Sequence, residues 1–289
     1  MDESNLHFDL KGIPITTNGF KWSLNATLLY LGLNVLSIVM PTVMVISFFG
    51  FALDSNFFHW RILLIFIDVF AWWGSYILIS LLLGKLFLII LKLIHVPKEG
   101  LFPIEKNSRD YSFFCLRVSI KKFIFWIWNN FCFPWVSNFA FKICGIKADF
   151  KSTMYDGWSD VEFIEYGDNI MIGQGAQVFS STIVRIDNND YLLIKKVIVG
   201  DHVVLGGNSI VSPGTIVGKG ATLGVWTVTY INQVLDPDWI YIGNPARKYK
   251  PAQKLIEESK KQPMRRIVDK RERIPFDVQR FVSKNHENK

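Results

Sequence analysis

The strongest constraint in this sequence is a period of six residues between positions 199 and 228. Broken into sixes, the segment reads VGDHVV, LGGNSI, VSPGTI, VGKGAT and LGVWTV, with an aliphatic residue opening each unit. An α-helix repeats near 3.6 residues and a flat strand repeats at 2, so neither produces this spacing. A parallel β-helix of triangular section does, because each unit of six supplies one short strand and one corner, and three units complete a coil.

In such a β-helix the aliphatic positions point toward the axis of the prism, and adjacent coils pair at strand spacing, about 4.8 Å. Gly, Asn and Asp near the corners tolerate the positive φ angles that sharp turns require. The alternative is an ordinary sheet with Gly-rich hairpins, but period-2 alternation is missing and five units keep phase. The residues expected to point inward are Val199, Leu205, Val211, Val217, Leu223 and Thr229.

The same phase occurs earlier in the chain, at 166–169, at 172–175 and at Val178. Val178 and Val199 lie 21 positions apart, which is not a multiple of six. We therefore expect the excess, around 185–195, to leave the coil as a loop. Loops that leave a rigid scaffold commonly carry function.

Two long uncharged stretches precede the repeats. No charged side chain occurs from 23 to 53, and Asp68 is the only one from 62 to 84. Each stretch exceeds the roughly 20 apolar residues that a bilayer-spanning helix needs. A cleaved signal peptide is not expected, because the first run is too long and no small-residue cleavage site follows it. We predict two antiparallel transmembrane helices, at about 24–53 and 62–95.

The charge distribution favours a membrane partner. The net charge is +7 and the pI is about 9.2. Basic residues flank the apolar segments or lie in the C-terminal tail, which favours anionic lipid headgroups over nucleic acid. They concentrate after the second apolar helix, so the positive-inside rule predicts a multi-pass protein of the cell membrane with both termini and the repeats in the cytoplasm. An odd count of three cysteines gives no disulfide framework.

Composition divides the chain into five parts. We expect an N-terminal arm at 1–22, a transmembrane helical hairpin at 23–96 and an interfacial aromatic linker at 97–150. A β-helix domain follows at 151–248, and a charged tail at 249–289 is expected to form a surface helix with a disordered end.

The linker segment 113–141 allows more than one interpretation. Arg117, Lys121 and Lys122 at helical spacing, followed by a dense aromatic run, favour a helix that lies in the membrane interface or re-enters it. Two adjacent asparagines and Pro134 argue against a third complete span.

Residues from about 160 to 250 resemble the hexapeptide-repeat acyltransferases, a family with a left-handed parallel β-helix fold. The resemblance is strongest in 199–228 and in the closing IGNPARKYK, which is similar to the G-N-P-A-(K/R) ending of sugar, maltose and serine acetyltransferases. More widely, EGLFPIEKN, KICGIKADF and SDVEFIEYGD are similar to the membrane-associated C-terminal regions of polylysine-type non-ribosomal peptide synthetases.

The resemblance implies a homotrimer that binds acetyl-CoA, or another acyl-CoA, in a groove between neighbouring prisms. Backbone groups at the Gly206-Gly207 and Gly224 corners would face the pantetheine arm, and Trp226 would lie near the adenine. The planar guanidinium of Arg247 suits a phosphate. The alternatives are a solvated cation for Arg247 and a packing role for Trp226. The closing residues implied near the adenine and phosphates are Asn244, Pro245, Ala246, Arg247 and Lys248.

Acyl transfer needs a base for the acceptor and a hydrogen-bond donor for the oxyanion. In the sugar acetyltransferases the resemblance places a His base after a unit like MIGQGAQV, and this chain has Ile183 there. The remaining candidates are His202, expected to face outward at a corner, Asp187 in the excursion and Asp160 at the first coil. A carboxylate can serve if burial raises its pKa, and the alternatives are solvated or capping roles.

No metal is expected. The β-helices similar to carbonic anhydrase use three histidines for zinc, and residues 150–250 contain only His202.

These features predict a membrane-anchored acyltransferase that moves an acetyl group from acetyl-CoA to a lipid-linked sugar or amine at the cytoplasmic face. The alternative is a non-catalytic β-helix scaffold that trimerises or recruits partners at the membrane. Ile183, at the position of the family base, favours that alternative.

Overall fold

The computed structural model of the 289-residue chain describes residues 24–53, 65–105, 108–146, 158–160 and 162–252. The N-terminal arm predicted at 1–22, and the part of the charged tail beyond 252, lie outside the described residues.

Two long apolar helices, α1 (Leu24–Leu53) and α2 (Ile65–Ile94), pack side by side. The indole Nε1 of Trp72 donates a hydrogen bond of 3.0 Å to Oγ1 of Thr42 across their interface. Much of the large apolar surface of both helices is exposed. Each helix is long and apolar enough to cross a membrane.

After β1 (Gly100–Pro103) the chain forms α3 (Arg109–Phe131) and α4 (Pro134–Cys144). Helix α3 lies between the apolar helices and the repeats. On one side Tyr30 of α1 packs edge-on against Phe123, with ring centroids 5.6 Å apart. On the other side Phe125 makes a similar contact, at 6.2 Å, with Trp158 of the first coil. Pro134 occupies the first turn of α4, so the proline starts a second helix where α3 ends.

Arg117 and Lys121 are two of the cations on which the interfacial prediction for 113–141 depends, and they face the repeats instead of the outside of the protein. Both side chains are buried, and both pair with Glu162 of the first coil. They face protein rather than lipid headgroups, because a carboxylate from the repeats neutralises them there.

The repeats form a parallel β-helix with three faces. The first face consists of β2 (Trp158–Ser159), β5 (Gln177–Val178) and β10 (Ile210–Val211). The second consists of β3 (Ile164–Tyr166), β8 (Val197–Val199), β11 (Ile216–Val217) and β13 (Val234–Leu235). The third consists of β4 (Met171–Ile172), β9 (Val204–Leu205), β12 (Thr222–Leu223) and β14 (Trp239–Ile242).

Pairing between coils repeats every three units of six. Ile216, for example, pairs in parallel with Ile198 on one side and Val234 on the other, 18 residues away in each direction. The alternative of a sheet with Gly-rich hairpins is therefore wrong for these strands. The left-handed sense of the coil remains a prediction of the resemblance.

The six side chains predicted to point inward are all buried. Residues two positions before them, such as Val203, Thr215 and Ala221, are buried as well, so each unit of six contributes two inward side chains. Positive φ angles recur at every sixth residue, which marks the corners. The corner residues after the excursion are His202, Asn208, Gly214, Gly220, Trp226, Asn232 and Asp238.

The excess between Val178 and Val199 is a β-hairpin, not the loop predicted around 185–195. It is formed by β6 (Ser181–Ile186) and β7 (Asn189–Ile194). Asp187 and Asn188 join the strands with φ angles of 47° and 62°, the left-handed pair that a two-residue hairpin turn requires.

The hairpin connects the linker to the β-helix. β7 also pairs antiparallel with β1, which gives a three-stranded sheet outside the prism. Leu192 and Ile194 of β7 pack with Tyr111 and Phe114 of α3. The hairpin therefore helps to fix α3 against the repeats.

The β-helix ends differently from the predicted boundary at 248. Residues of β15 (Arg247–Pro251) pair antiparallel with β14. The first described residues of the predicted tail thus continue a strand that covers the last edge of the third face.

Candidate functional site

Asp160 follows the first strand of the β-helix and is enclosed by hydroxyl and amide donors. Its Oδ2 accepts hydrogen bonds from the backbone N of Ser180 at 3.0 Å, from Oγ of Ser180 at 3.2 Å and from Oγ of Ser181 at 3.0 Å. These serines lie one coil away, where the hairpin leaves the prism. The fold thus brings two hydroxyls of the excursion to a carboxylate of the first coil.

Burial raises the pKa of Asp160 above its usual range, although Lys121 and the three hydrogen bonds act in the opposite direction. A carboxylate whose pKa is shifted toward neutrality is a better proton acceptor for an amine or hydroxyl than an ordinary surface Asp. Such shifts are common where a side chain has a chemical role.

A cleft of about 650 Å³ opens beside Asp160, between α1, α3 and the first face. Lys122 of α3 also lines it, and burial lowers the pKa of Lys122 while the nearby Asp160 raises it. The aromatic residues that line the cleft are Tyr30, Phe114, Phe125, Trp126, Trp158 and Phe179. The other polar residues that line it are Asn129, Asn130, Gln177 and Ser181.

A buried ion triad holds α3 beside this cleft. Nε of Arg117 lies 3.0 Å from Oε1 of Glu162, and Nζ of Lys121 lies 3.3 Å from its Oε2. Burial alone would raise the pKa of Glu162, but the cations of Lys121 and Arg117 hold it below its usual range. Glu162 is two residues from Asp160, so the triad positions the helix that forms one wall of the cleft.

Two of the predicted catalytic candidates lie elsewhere. His202 is exposed on the edge between the second and third faces, with Nδ1 3.1 Å from Nδ2 of Asn169. Asp187 is exposed at the tip of the hairpin. The positive φ of this turn position explains why an Asp occupies it. Ile183 pairs with Leu192 inside the hairpin. Asp160 is the predicted candidate that lines the cleft.

Trp226 and the closing segment meet at the last coil. The N–H of Val228 donates to the carbonyl of Gly243 at 3.0 Å, and Ala246 donates back to the carbonyl of Val228 at 2.8 Å. Trp226 is 69% exposed and has a φ of 60°, which is uncommon for a bulky residue. A side chain kept in an unfavourable backbone conformation and facing solvent suggests a contact outside the chain.

The other residues implied near coenzyme A have varied surroundings. Ala246 is buried, Asn244 and Arg247 are exposed, and the peptide bond before Pro245 is cis. Lys248 forms an ion pair with Asp236, and its Nζ lies 4.9 Å from the ring centroid of Trp239. Lys248 is thus held by its own chain at the end of the β-helix.

The stacking of the coils explains why glycine occupies positions 206 and 207, just before the corner residue Asn208. A Cβ at Gly206 would lie 2.6 Å from the carbonyl carbon of Gly224, and one at Gly207 would lie 3.3 Å from the carbonyl oxygen of Gln174. The fold alone therefore requires small residues at Gly206 and favours one at Gly207.

Two of the residues that the resemblance implies near coenzyme A, Trp226 and Arg247, are exposed. The exposed indole of Trp226 and the exposed guanidinium of Arg247 have the chemistry for an adenine and a phosphate. Among the described residues, no group of three or more His, Cys, Asp or Glu side chains is placed to hold a metal ion.

No family model matches the chain. Sequence comparison finds 31% identity over 105 residues with "Putative acetyltransferase YvoF" of Bacillus subtilis (strain 168), which covers 35% of this chain and 55% of that protein. It also finds 28% identity over 102 residues with "Putative acetyltransferase C18B11.09c" of Schizosaccharomyces pombe, which covers 34% and 47%. The matched part thus spans about half the length of these curated relatives.

Structural comparison finds a variant of AntD, an N-acyltransferase from Bacillus cereus in complex with dTDP-4-amino-4,6-dideoxyglucose and coenzyme A. The identity is 24%, the TM-score is 0.30, and the match covers 36% of this chain and 64% of that one. Hexapeptide-repeat acetyltransferase VCA0836 of Vibrio cholerae, complexed with acetyl-CoA, matches at 19% identity and TM-score 0.28, over 37% and 69%. Galactoside acetyltransferase in complex with coenzyme A matches at 12% and 0.34, over 46% and 79%. The sequence similarity to the two proteins named "Putative acetyltransferase" covers about a third of this chain.

Proposed function

We propose that this protein is a membrane-anchored acyltransferase that uses acetyl-CoA, or another acyl-CoA, to acylate a lipid-linked sugar or amine at the cytoplasmic face. The observation that carries the proposal is the Asp160 site, where a carboxylate with a raised pKa lines a large cleft at one end of a β-helix. The sequence similarity to two proteins named "Putative acetyltransferase" supports the same reaction class. The two apolar helices support the membrane anchor.

Bound acyl-CoA would supply the acyl group as a thioester. Trp226 and Arg247 would hold its nucleotide end at the last coil, beside the Gly224 corner. The cleft would hold the acceptor, and its position against α1 would bring the acceptor close to the membrane surface.

A stripe of outward-facing residues connects these two places along the first face. Trp158 pairs with Gln177, Gln177 with Ile210, and Ile210 with Val228. Three steps between coils correspond to roughly 14 Å. Trp158 lines the cleft, and Val228 is two residues from Trp226. The pantetheine arm would therefore follow this stripe from the last coil toward Asp160.

Asp160 would act as the base in place of the missing histidine. It would take the proton from the acceptor hydroxyl or amine while the acceptor oxygen or nitrogen bonds to the acyl carbon. The carbon–sulfur bond then breaks, and the proton passes from Asp160 to the departing sulfur. Ser180 and Ser181 would orient the carboxylate through the hydrogen bonds that they already donate.

A homotrimer is part of the proposal, and the second face supports it. Ile198, Ile216 and Val234 stack in register there, with exposed fractions of 38%, 42% and 63%. An exposed aliphatic ladder on a rigid face is typical of a surface that another protein copy covers. A neighbouring prism in a closed ring would cover it.

The experiment is a calorimetric titration of the full chain, solubilised in detergent, with acetyl-CoA. We expect binding that weakens in Arg247→Ala and is unchanged in Arg185→Ala, which removes an exposed guanidinium from the hairpin. Release of free thiol in the presence of a membrane lipid extract would then show transfer. Absence of binding at millimolar acetyl-CoA would reject the transferase.

The non-catalytic scaffold remains the second candidate, because Ile183 forms a cross-strand pair where the family carries its base. A scaffold predicts trimers that neither bind acetyl-CoA nor release thiol. Titration and assay on the same sample therefore separate the two functions.

A further inference from the structure

A second cavity lies on the other side of α3, between α2, α4 and the first coil. Its volume is about 290 Å³. Lys85, Leu88, Ile89 and Lys92 contribute one wall and follow one another at helical spacing along a single stripe of α2. Lys121 of α3 contributes the opposite wall, beside Glu162. This cavity is separate from the cleft that contains Asp160.

The cavity has an excess of positive charge. Three of its lining residues are lysines, and Glu162 is its one acidic lining residue. Glu162 is already paired with Lys121 and Arg117. Within the described ranges, neither Lys85 nor Lys92 forms an ion pair with a carboxylate. Two ammonium groups are therefore left to attract an anion.

The position of the lysines along α2 indicates where this anion would lie. Helix α2 has 30 residues, which corresponds to about 45 Å, more than the roughly 30 Å of a bilayer core. Residues 65–84 alone supply the length of one span, so Lys85 would follow at the headgroup level and Lys92 two turns beyond. The apolar surface continues around the cavity, because Leu86, Ile89 and Ile90 are exposed.

We infer that this cavity binds the phosphate of an anionic lipid headgroup, held by Lys85 and Lys92, with the acyl chains along the exposed side of α2. Basic pockets between helices at a cytoplasmic membrane surface have the charge and shape for such headgroups. The apolar rim favours a lipid over a soluble phosphate. The inference rests on the membrane crossing contained in the proposed function and is independent of the transfer chemistry.

The test uses the full chain in mixed micelles and follows the melting temperature during titration with phosphatidylglycerol. Phosphatidylcholine and inorganic phosphate are titrated in parallel. We expect stabilisation by phosphatidylglycerol alone, with binding about twenty-five-fold weaker in Lys85→Gln/Lys92→Gln, because each lysine near an anionic headgroup contributes about a factor of five. The control Lys142→Gln/Lys219→Gln removes the same charge from exposed positions outside the cavity and should bind like the wild type.

Equal stabilisation by phosphatidylcholine, or by inorganic phosphate at the same concentration, would overturn the inference. So would unchanged binding in the double variant. If that variant does not fold, Lys92→Gln, an exposed position, provides the comparison with an expected fivefold loss. Titration of the same samples with acetyl-CoA separates the two proposals: a lipid effect without acetyl-CoA binding would reject the transferase and leave the lipid site.

Discussion

Oγ of Ser181, the first residue of the hairpin, lies 3.0 Å from Oδ2 of Asp160 on the first coil. This contact joins the interruption of the repeat to the site beside the cleft. The hairpin leaves the prism at the corner where Asp160 needs hydrogen-bond donors, and Ser180 supplies two more. The departure from the period of six therefore builds part of the candidate site.

Asp160→Asn should abolish most of the transfer activity while leaving the fold intact. Asparagine has nearly the same shape but cannot accept the acceptor's proton, and general bases typically contribute 10²- to 10⁴-fold. We expect a fall in kcat of about a hundredfold or more, measured by thiol release, with unchanged acetyl-CoA affinity. Asp187→Asn is the matched control and should be neutral, because Asn is tolerated at the positive φ of the hairpin tip. Equal losses in both variants would contradict the assignment of Asp160.

The pH dependence of the reaction should report the same carboxyl group. Burial raises the pKa of Asp160, and the group must be deprotonated to act as a base. The rate kcat/KM should therefore fall as the pH drops through a pKa above the usual Asp range. The residual kcat/KM of Asp160→Asn should not show this fall at low pH. If kcat/KM of the wild type instead fell at the pKa of an ordinary exposed Asp, Asp160 would be excluded as the titrating group.

Glu162→Gln should destabilise the protein strongly, because it removes the carboxylate that pairs with the buried Arg117 and Lys121. Removing one partner of a buried ion pair costs about 3–5 kcal/mol. Thermal unfolding in detergent measures the effect. Glu165→Gln, at an exposed pair with Lys196, should change stability by less than about 1 kcal/mol. Since the pKa of Glu162 is lowered in the folded state, its contribution is complete above the pKa of a free Glu and is lost as pH falls through the lowered value.

The β-helix could be predicted from sequence because its packing is local and periodic. Each inward position, such as Val199 or Leu223, has the same environment six residues later, so the pattern survives without knowledge of any distant contact. The two apolar helices could also be predicted, because each follows from a long stretch almost free of charged residues. The corner at Trp226 breaks the preference for Gly, Asn and Asp, so the backbone conformation there could not be derived from residue type.

The hairpin and the cleft were harder to predict, for different reasons. The segment STIVRIDNNDYLLI places two short runs rich in aliphatic and other strand-forming residues on either side of the polar DNND, a hairpin signal that the loop prediction for 185–195 missed. The ion triad left no such signal, because Arg117 and Glu162 are 45 residues apart and meet only when α3 docks on the first coil. The cleft depends on the same docking. Asp160 could be named as a candidate from sequence, but its partners could not.

Ile216→Asp should dissociate the proposed trimer. Ile216 lies between Ile198 and Val234 on the exposed ladder of the second face, and a carboxylate there would be desolvated if a neighbouring prism covered it. Size-exclusion chromatography with light scattering in detergent measures the mass. Thr222→Asp, at the equivalent outward position of the third face, is the control and should remain trimeric. A wild-type monomer, or a trimer that persists in Ile216→Asp, would show that this ladder is not the interface.

Trp226→Asn should separate coenzyme binding from stability. Asparagine adopts positive φ more readily than tryptophan, and Asn208 occupies the preceding corner of the same edge. The melting temperature should therefore stay the same or rise. Loss of the exposed indole should weaken acetyl-CoA binding by about tenfold or more, since stacking of an aromatic side chain on a nucleobase contributes about 1–3 kcal/mol. Calorimetric titration of both forms decides the matter, because a packing residue would show the opposite pattern, with unchanged affinity and a lower melting temperature.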